Sequence, residues 1–188
     1  MAVIRSFIAI KIPGDIQEKL QAIQDKLKQS EAHVSWTAPE NIHLTLQFLG
    51  NIEEKQLDEL VSAILSSVQD LAPFQLQIGY AGAFPNIRFP RVIWIGVTDD
   101  DSGSLKTLQS SVSGGLAQLG FDMERERFQP HLTLGRVRSQ KNHSTLLRAI
   151  ESMVNVWVGE LSVRSIFLLK SELRPRGPEY TVLSEIRL

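Results

Sequence analysis

The most constraining feature of this sequence is a tetrapeptide that occurs twice. His-Leu-Thr-Leu stands at residues 43–46 and again at residues 131–134. The chain has only 4 histidines among its 188 residues, so composition does not account for two of them in the same four-residue context. The repeat predicts a chain built from two related halves.

The spacing within the repeated tetrapeptide has a direct geometric meaning. Both copies lie in strand-like stretches, where side chains two positions apart point to the same face. His43 and Thr45 therefore share one face, as do His131 and Thr133, while the leucines face the other side and can be buried. If the halves pack about a pseudo-two-fold axis, the two pairs converge in one cleft.

Hydrophobic periodicity over the whole chain predicts alternating strands and amphipathic helices. Strands that follow one another and pair directly favour an α+β fold over a doubly wound parallel sheet. No Gly/Ser linker divides the chain, so residues 1–188 are expected to form one domain of two similar lobes. The predicted strands are 5–12, 34–37, 42–49, 74–84, 91–97, 128–137, 160–169 and 180–188, the helices 16–27, 57–68, 105–119 and 144–154, and a loop covers 171–178.

Composition excludes several classes of protein. The absence of cysteine excludes disulfides, thiolate nucleophiles and cysteine-ligated zinc, and it favours a reducing, cytoplasmic compartment. No apolar run approaches the roughly 20 residues of a membrane span. Residues 1–124 carry an acidic excess and residues 125–188 a basic one rich in Arg, but the net charge of −1 does not suit a general coat protein for duplex nucleic acid.

Two histidines and two hydroxyls suit acid–base chemistry on a phosphate. A neutral imidazole can take a proton from water, an imidazolium can protonate a leaving oxygen, and hydroxyls can donate to phosphoryl oxygens. Imidazole titrates near neutral pH, so both states are accessible. The alternative is that each His is an ordinary strand residue satisfied by the neighbouring Thr, and the duplication favours catalysis over that interpretation.

A metal site is the rival chemical interpretation. Catalytic zinc needs three protein ligands, and neither motif contains a carboxylate. The acidic run at residues 99–101 precedes a helical stretch, where the helix dipole stabilises negative charge. His33 and His143 have no repeated context and are expected on the surface. We therefore predict catalysis without a metal or another cofactor.

Longer stretches around the two motifs point to a family. They are Arg-x-Phe-x-Ala-Ile at residues 5–10, the run from Trp36 to Gly50, the run from Phe128 to Arg136, and Ser-Glu-Leu followed by Gly-Pro-Glu-Tyr within residues 171–180. In these residues the chain resembles the 2H phosphoesterase superfamily, whose signature is the paired His-x-Thr-x motif. Within it, the chain is most similar to the RNA 2′,3′-cyclic phosphodiesterases, also called 2′-5′ RNA ligases.

The resemblance implies both a fold and an activity. The fold is bilobal α+β, with two antiparallel sheets facing a central cleft and helices on the outer faces. The activity is metal-independent hydrolysis of a terminal 2′,3′-cyclic phosphate to a 2′-phosphomonoester, with His43 as proton donor and His131 as proton acceptor. The residues alone leave that assignment open, since the motifs are identical. The implied partners are RNA or tRNA-half ends, which some relatives join through a 2′-5′ linkage, and the protein is expected to be a monomer.

The remaining candidates follow from position. Thr45 and Thr133 are predicted to bind the phosphate. By strict strand alternation Arg136 lies on the opposite face from Thr133, so it reaches the phosphate only if the strand twists or bulges. Aromatic side chains stack on bases of any sequence. The candidates for such stacking are Trp36, Phe48, Phe84 and Phe128.

Two alternative functions remain open at this point. A related enzyme with the same residues could open a different cyclic phosphate, such as ADP-ribose 1″,2″-cyclic phosphate, and only substrate assays separate the two. A non-catalytic module that binds RNA ends is the other alternative. It would keep RNA binding when the histidines are replaced.

Overall fold

The part of the chain that the structure describes forms nine strands and four α-helices. The computed structural model describes residues 3–99, 102–121, 128–175 and 177–188. The strands are β1 (Val3–Lys11), β2 (Val34–Trp36), β3 (His43–Glu53), β4 (Phe74–Phe84), β5 (Val92–Asp99), β6 (His131–Val137), β7 (Trp157–Val163), β8 (Ser165–Arg174) and β9 (Gly177–Arg187). The helices are α1 (Gly14–Lys28), α2 (Leu57–Val68), α3 (Ser104–Ala117) and α4 (His143–Glu151), with single 3-10 turns at Pro39–Asn41 and Glu54–Gln56.

The strands form one antiparallel sheet in the order β7-β4-β5-β6-β3-β1-β8-β9, and β2 also pairs with β6. We call β3, β1, β8 and β9 lobe A, and β6, β5, β4, β7 and β2 lobe B. The lobes meet where β3 pairs with β6 through one registered pair, Leu44 with Leu132. The predicted bilobal α+β fold is therefore confirmed, and its two sheets join at this pair into a single curled sheet.

The helices cover one face of this sheet in two pairs. Helices α2 and α3 pack on each other and against β9 and β3 of lobe A, while α1 and α4 pack on each other and against β7 and β4 of lobe B. Their apolar residues recur at helical spacing, and in α1 Ile16, Leu20 and Leu27 are all buried in the main core. None of the described helices is long and apolar enough to cross a membrane.

The chain path does not assign one half of the sequence to each lobe. Lobe A takes β1 and β3 from the first half and β8 and β9 from the end, whereas β2 and β4 of the first half belong to lobe B. Each lobe is therefore completed by strands that are distant in sequence.

Two predicted elements near the C-terminus are wrong. The predicted strand 160–169 is two strands that part at Arg164, and the predicted loop 171–178 is the tip of the β8–β9 hairpin. Proline and glycine suggested the loop, but β9 is an edge strand, where Pro178 removes no hydrogen bond from the interior of the sheet.

Candidate active site

Each motif strand contains a β-bulge at the same place in the motif. In β3, Thr45 pairs with Ala9 and Gln47 with Ile8, which leaves Leu46 as an extra residue. In β6, the neighbours of Leu134 pair with consecutive residues of β5, so that Leu134 is the extra residue. Leu46 and Leu134 both follow the motif histidine by three positions, so the two lobes repeat this irregularity.

The bulges change which side chains face the cleft. One extra residue reverses the alternation, so Leu46 and Gln47 are both buried and Phe48 is 59% exposed on the face of His43 and Thr45. In β6 the same reversal puts Arg136 on the face of Thr133, because Arg136 pairs with Val92 and Thr133 with Trp94, two residues further along β5. Arg136 therefore lies on the cleft face with Thr133, although strict strand alternation would place it on the opposite face.

The two histidines are anchored in the same way. His43 Nδ1 lies 2.7 Å from the carbonyl oxygen of Asn41, and His131 Nδ1 lies 2.6 Å from that of Gln129. A carbonyl oxygen only accepts, so Nδ1 carries the proton in each ring and donates it. In the neutral state Nε2 is then the unprotonated nitrogen of both imidazoles and can accept a proton on the substrate side. In the imidazolium state Nε2 carries a proton that it can deliver there.

Burial sets the protonation of both imidazoles. It lowers the pKa of His43 below its ordinary value, the hydrogen bond to the Asn41 carbonyl opposes this, and positive charge at His131 lowers it further. Burial also lowers the pKa of His131, against the hydrogen bond to Gln129, and here the Arg136 guanidinium adds to the lowering. His131 thus has a permanent cation beside it that favours its neutral form.

The threonine hydroxyls are not the hydrogen-bond partners of the histidines. Thr45 and Thr133 are half-buried, and within the described residues no hydrogen bond uses either hydroxyl. Antiparallel register about the Leu44–Leu132 pair directs His43 towards Thr133 and His131 towards Thr45. The two hydroxyls are thus available to a ligand between the imidazoles.

Lobe A surrounds His43 with an aromatic cluster. Phe7 and Tyr180 lie 4.7 Å and 5.2 Å from the His43 ring, centroid to centroid, and 5.1 Å from each other. Burial raises the pKa of Tyr180, and the positive charges of Arg136 and Arg5 oppose that rise. Both arginines therefore act on the same cleft as the histidines.

Lobe B places a second aromatic cluster beside His131. The Phe84 ring meets His131 edge-on at 4.8 Å, Trp94 lies 5.2 Å from Phe84, and Tyr80 lies 5.8 Å from Trp94. Glycines make room for two of these rings: a Cβ on Gly82 would overlap Trp94, and a Cβ on Gly96 would overlap Tyr80. Tyr80 itself has φ +46°, an uncommon conformation for a residue other than glycine.

The structure brings only some of the predicted aromatic residues to the cleft. Phe48 and Phe84 lie on the cleft face, whereas Trp36 and Phe128 pack against the main core. Trp36 covers Gly135 on the buried side of the sheet, so it does not line the site.

Sequence reasoning missed several side chains that line the cleft, and two sequence signals pointed to them. Phe7 and Tyr180 stand in the stretches that carry the family resemblance, and Trp94 has the strand alternation Val92-x-Trp94-x-Gly96. Neither signal shows which side chains contact the histidines, because those contacts depend on the pairing of strands that are distant in sequence.

The other candidate residues have structural contacts. Asp99 accepts a hydrogen bond of 2.6 Å from the Leu105 amide at the start of α3, as expected for an acidic helix start, while Asp100 and Asp101 lie outside the described residues. His33 is exposed, and half-buried His143 hydrogen-bonds the Arg88 carbonyl. Across the described ranges no three His, Asp or Glu side chains are grouped to hold a metal ion.

The site consists of two imidazoles with free Nε2 atoms, flanked by two hydroxyls and an arginine. This arrangement is that of a two-histidine phosphoesterase. The family model of LigT-like phosphoesterases matches the sequence twice, over residues 10–94 and 95–180. The chain belongs to the LigT-like phosphoesterase family. The double match agrees with the two related halves that the repeated motif predicted.

Curated relatives extend along the whole chain. A Methanothermobacter thermautotrophicus protein named RNA 2′,3′-cyclic phosphodiesterase is 37% identical over 98% of this chain and 99% of its own length. An Aquifex aeolicus protein of the same name is 32% identical over 100% and 99%. Among solved structures, Escherichia coli LigT in complex with 3′-AMP superposes with a TM-score of 0.80 at 25% identity, covering 100% of this chain and 99% of LigT.

Proposed function

We propose that this protein is an RNA 2′,3′-cyclic phosphodiesterase that hydrolyses a terminal cyclic phosphate to a 2′-phosphomonoester. One observation carries the proposal: two imidazoles, each with Nδ1 held by the carbonyl two residues earlier, present Nε2 to one cleft. The relatives that share this chain's full length are named for the same activity. On this proposal residues 1–188 act as one catalytic domain.

The proposed reaction needs one base and one acid. His131 Nε2 takes a proton from water as the water oxygen attacks phosphorus. The P–O3′ bond breaks on the opposite side, and His43 Nε2 delivers its proton to O3′. The product keeps phosphate on O2′, and proton exchange with solvent returns His131 to neutral and His43 to its protonated form. No step requires a metal or another cofactor.

The surroundings of the histidines support this division of roles. A general base must be neutral when water is activated, and the Arg136 guanidinium favours neutral His131 at every pH at which the enzyme works. His43 has the His131 imidazole as its charged neighbour, and that charge is absent while His131 is neutral. Neutral His131 therefore removes one of the contributions that lower the pKa of His43.

The phosphate ligands follow from the same geometry. We assign Thr45, Thr133 and Arg136 to the phosphoryl oxygens, where negative charge grows in the transition state. Phe48 and Phe84 are the proposed contacts for the nucleoside among the aromatic residues predicted from sequence. Trp36 and Phe128 are not proposed, since both pack in the core.

The same site suits transfer of the phosphate to a hydroxyl in place of water. If the 5′-hydroxyl of an RNA end takes the place of water, attack on the cyclic phosphate forms a 2′-5′ linkage and breaks the same P–O3′ bond. We therefore include RNA and tRNA-half ends among the proposed partners of a cytoplasmic, monomeric enzyme.

The test is hydrolysis of a short RNA that ends in a 2′,3′-cyclic phosphate, with and without EDTA, and with ADP-ribose 1″,2″-cyclic phosphate as a second substrate. We expect a 2′-phosphate product in both conditions. His43→Ala and His131→Ala should each lose about 10²–10⁴-fold in rate. His33→Ala, at an exposed position outside the cleft, is the matched control and should retain full activity. Turnover that requires added metal, or that survives both active-site substitutions, would refute the mechanism.

A further inference from the structure

One row of paired residues crosses the cleft face of lobe B from His131 to the edge of the sheet. His131 in β6 pairs with Gly96 in β5, and Gly96 pairs with Gly79 in β4. Gly79 in turn pairs with Trp157 in β7, the edge strand of this lobe. Residues paired in this way point to the same face of a sheet. Three strand spacings of about 4.8 Å place Trp157 about 14 Å from His131.

The glycines of this row bring aromatic rings close to the backbone. A Cβ at Gly96 would overlap the Tyr80 ring, and a Cβ at Gly79 would lie 3.6 Å from the Trp157 ring. Tyr80 also meets the Trp94 ring edge-on at 5.8 Å. We call the rings on this face the aromatic platform. Its members are Phe84, Trp94, Tyr80 and Trp157.

The outer rings of the platform are exposed although they are large and apolar. Trp157 is 60% exposed and Tyr80 is 39% exposed. An exposed ring forgoes most of the stabilisation that its burial would give. Aromatic rings on an open sheet face are a common means of stacking the bases of single-stranded RNA, whatever their sequence. The platform therefore suits an RNA strand.

Two local costs to stability fall within the platform. Tyr80 has φ +46°, a conformation that is unfavourable for residues other than glycine. The Trp94 indole N–H is buried, and no group in the described part of the chain accepts a hydrogen bond from it. Strained backbone and unsatisfied polar groups of this kind are concentrated at functional sites. Both are accounted for if the rings, rather than the polar groups they carry, are what this face presents to a ligand.

The stereochemistry of the proposed reaction determines what lies over this face. In an in-line displacement the nucleophile and the leaving O3′ lie on opposite sides of phosphorus. His131 takes the proton of the nucleophile, so whatever carries the nucleophile extends over lobe B. Water carries nothing that aromatic rings could bind, whereas a 5′-hydroxyl carries a nucleoside and the strand that follows it. This step rests on the proposed function and on its assignment of the proton acceptor.

We infer that the aromatic platform binds the RNA strand whose 5′-hydroxyl attacks the cyclic phosphate. The 5′-oxygen bonds to phosphorus as the P–O3′ bond breaks, His131 Nε2 takes the hydroxyl proton, and His43 Nε2 delivers its proton to O3′. The first nucleoside lies beside Phe84, and the next bases stack towards Tyr80 and Trp157. The row of about 14 Å is longer than one stacked nucleotide, which rises about 3.4 Å.

The test gives the enzyme two RNAs at once, one that ends in a 2′,3′-cyclic phosphate and one that begins with a 5′-hydroxyl. The initial rates of 2′-5′ ligation and of hydrolysis are measured in the same reaction, with the 5′-hydroxyl strand below its KM. Trp157→Ala removes the outermost ring, and Trp157→Phe keeps a ring at that position. Leu65→Ala is the matched control, because Leu65 is 47% exposed on α2, which covers the opposite face of the sheet.

We expect Trp157→Ala to lower the ratio of ligation to hydrolysis by about tenfold, the scale of one lost base-stacking contact. Trp157→Phe should retain most of the ratio, and Leu65→Ala should leave it at the wild-type value. A ratio in Trp157→Ala within about twofold of wild type would overturn the inference. That result includes an equal loss of both rates, which would place the strand with the cyclic phosphate on the platform.

A binding measurement separates this inference from the proposed function. Fluorescence anisotropy of a short 5′-hydroxyl RNA, labelled at its 3′ end, requires no cyclic phosphate and no turnover. Trp157→Ala should raise its Kd about tenfold and Leu65→Ala should not, even if wild type hydrolyses no cyclic phosphate and the proposed activity fails. If wild type does not bind this RNA, or Trp157→Ala binds it as tightly, the inference is wrong, and hydrolysis by the two histidines is unaffected by that result.

Discussion

Replacing Gln24 by Leu should loosen the bulge that turns Arg136 into the cleft. Gln24 is 1% exposed in α1, and its side-chain amide donates to the carbonyl oxygens of Thr37 at 2.7 Å and Leu134 at 2.8 Å. Leu134 is the extra residue of the β6 bulge. The side-chain amide of Gln24 in α1 therefore fixes the backbone of Leu134, two residues before Arg136.

The size of the effect follows from these two bonds. Leu fills nearly the same volume but donates nothing, so both carbonyls lose a buried partner. Among the described residues, only the Leu134 carbonyl keeps another donor, the Thr37 amide at 2.9 Å. The unsatisfied Thr37 carbonyl costs about 1–3 kcal/mol and the lost bond to Leu134 about 1 kcal/mol, so the free energy of unfolding should fall by about 2–4 kcal/mol. For a chain of this size that corresponds to a Tm lower by about 5–15 °C.

The assay combines urea unfolding with hydrolysis of the cyclic phosphate by single and double variants. If Gln24 acts through Arg136, Arg136→Ala should cost less activity in the Gln24→Leu background than in wild type. Gln21→Leu, on the exposed face of the same helix, is the matched control and should change neither quantity. Unfolding within about 0.5 kcal/mol of wild type, or fully additive activity losses, would refute the reasoning.

Three further predictions concern the site. Gly96→Ala should lower the free energy of unfolding by about 1–3 kcal/mol because the new Cβ overlaps the Tyr80 ring, and adding Tyr80→Ala should relieve this loss. Gly114→Ala is the control in α3, where the new Cβ meets open space and should not destabilise the protein. Because both imidazoles have lowered pKa values, kcat/KM should peak below about pH 6.5. Arg136→Ala should raise the pKa of His131 and move the acidic limb to higher pH, whereas Arg136→Lys should not; an unmoved limb in Arg136→Ala would contradict this. The unfolded histidines bind protons more readily than the folded ones, so stability in urea should fall as pH drops from about 6.5 through the lowered pKa values, and a flat profile would count against buried imidazoles.

Local geometry explains what could be predicted from the sequence. Strand alternation is a property of the backbone, so the shared face of His43 and Thr45 and the burial of Leu44 follow from spacing alone. The position of Arg136 does not, because a bulge depends on the residues that the neighbouring strand offers for pairing. Trp36 illustrates the same limit: it packs on the core side of the sheet against its partner Gly135, a position that the spacing of the sequence did not indicate.

The surroundings of His43 show why the rest of the site could not be predicted from the sequence. Phe7 comes from β1 and Tyr180 from β9, and only the order of strands in the folded sheet brings both rings to one imidazole. The loop predicted at 171–178 failed for the same reason, since pairing with β8 overrides the local preference of Pro178 and Gly177.

The exchange of strands between the lobes has a consequence for biosynthesis. Strand β1 leaves the ribosome long before β8, but one of its edges is paired by β8, with Ser6 opposite Lys170. Until then that edge exposes unpaired backbone groups, which attract other chains. Contacts this distant in sequence also slow folding. Tyr180 is synthesised 49 residues after His131, so the nascent protein already holds both histidines before it has the strand that brings Tyr180 to His43. The surroundings of His43 are complete only once residues 165–187 have joined the sheet.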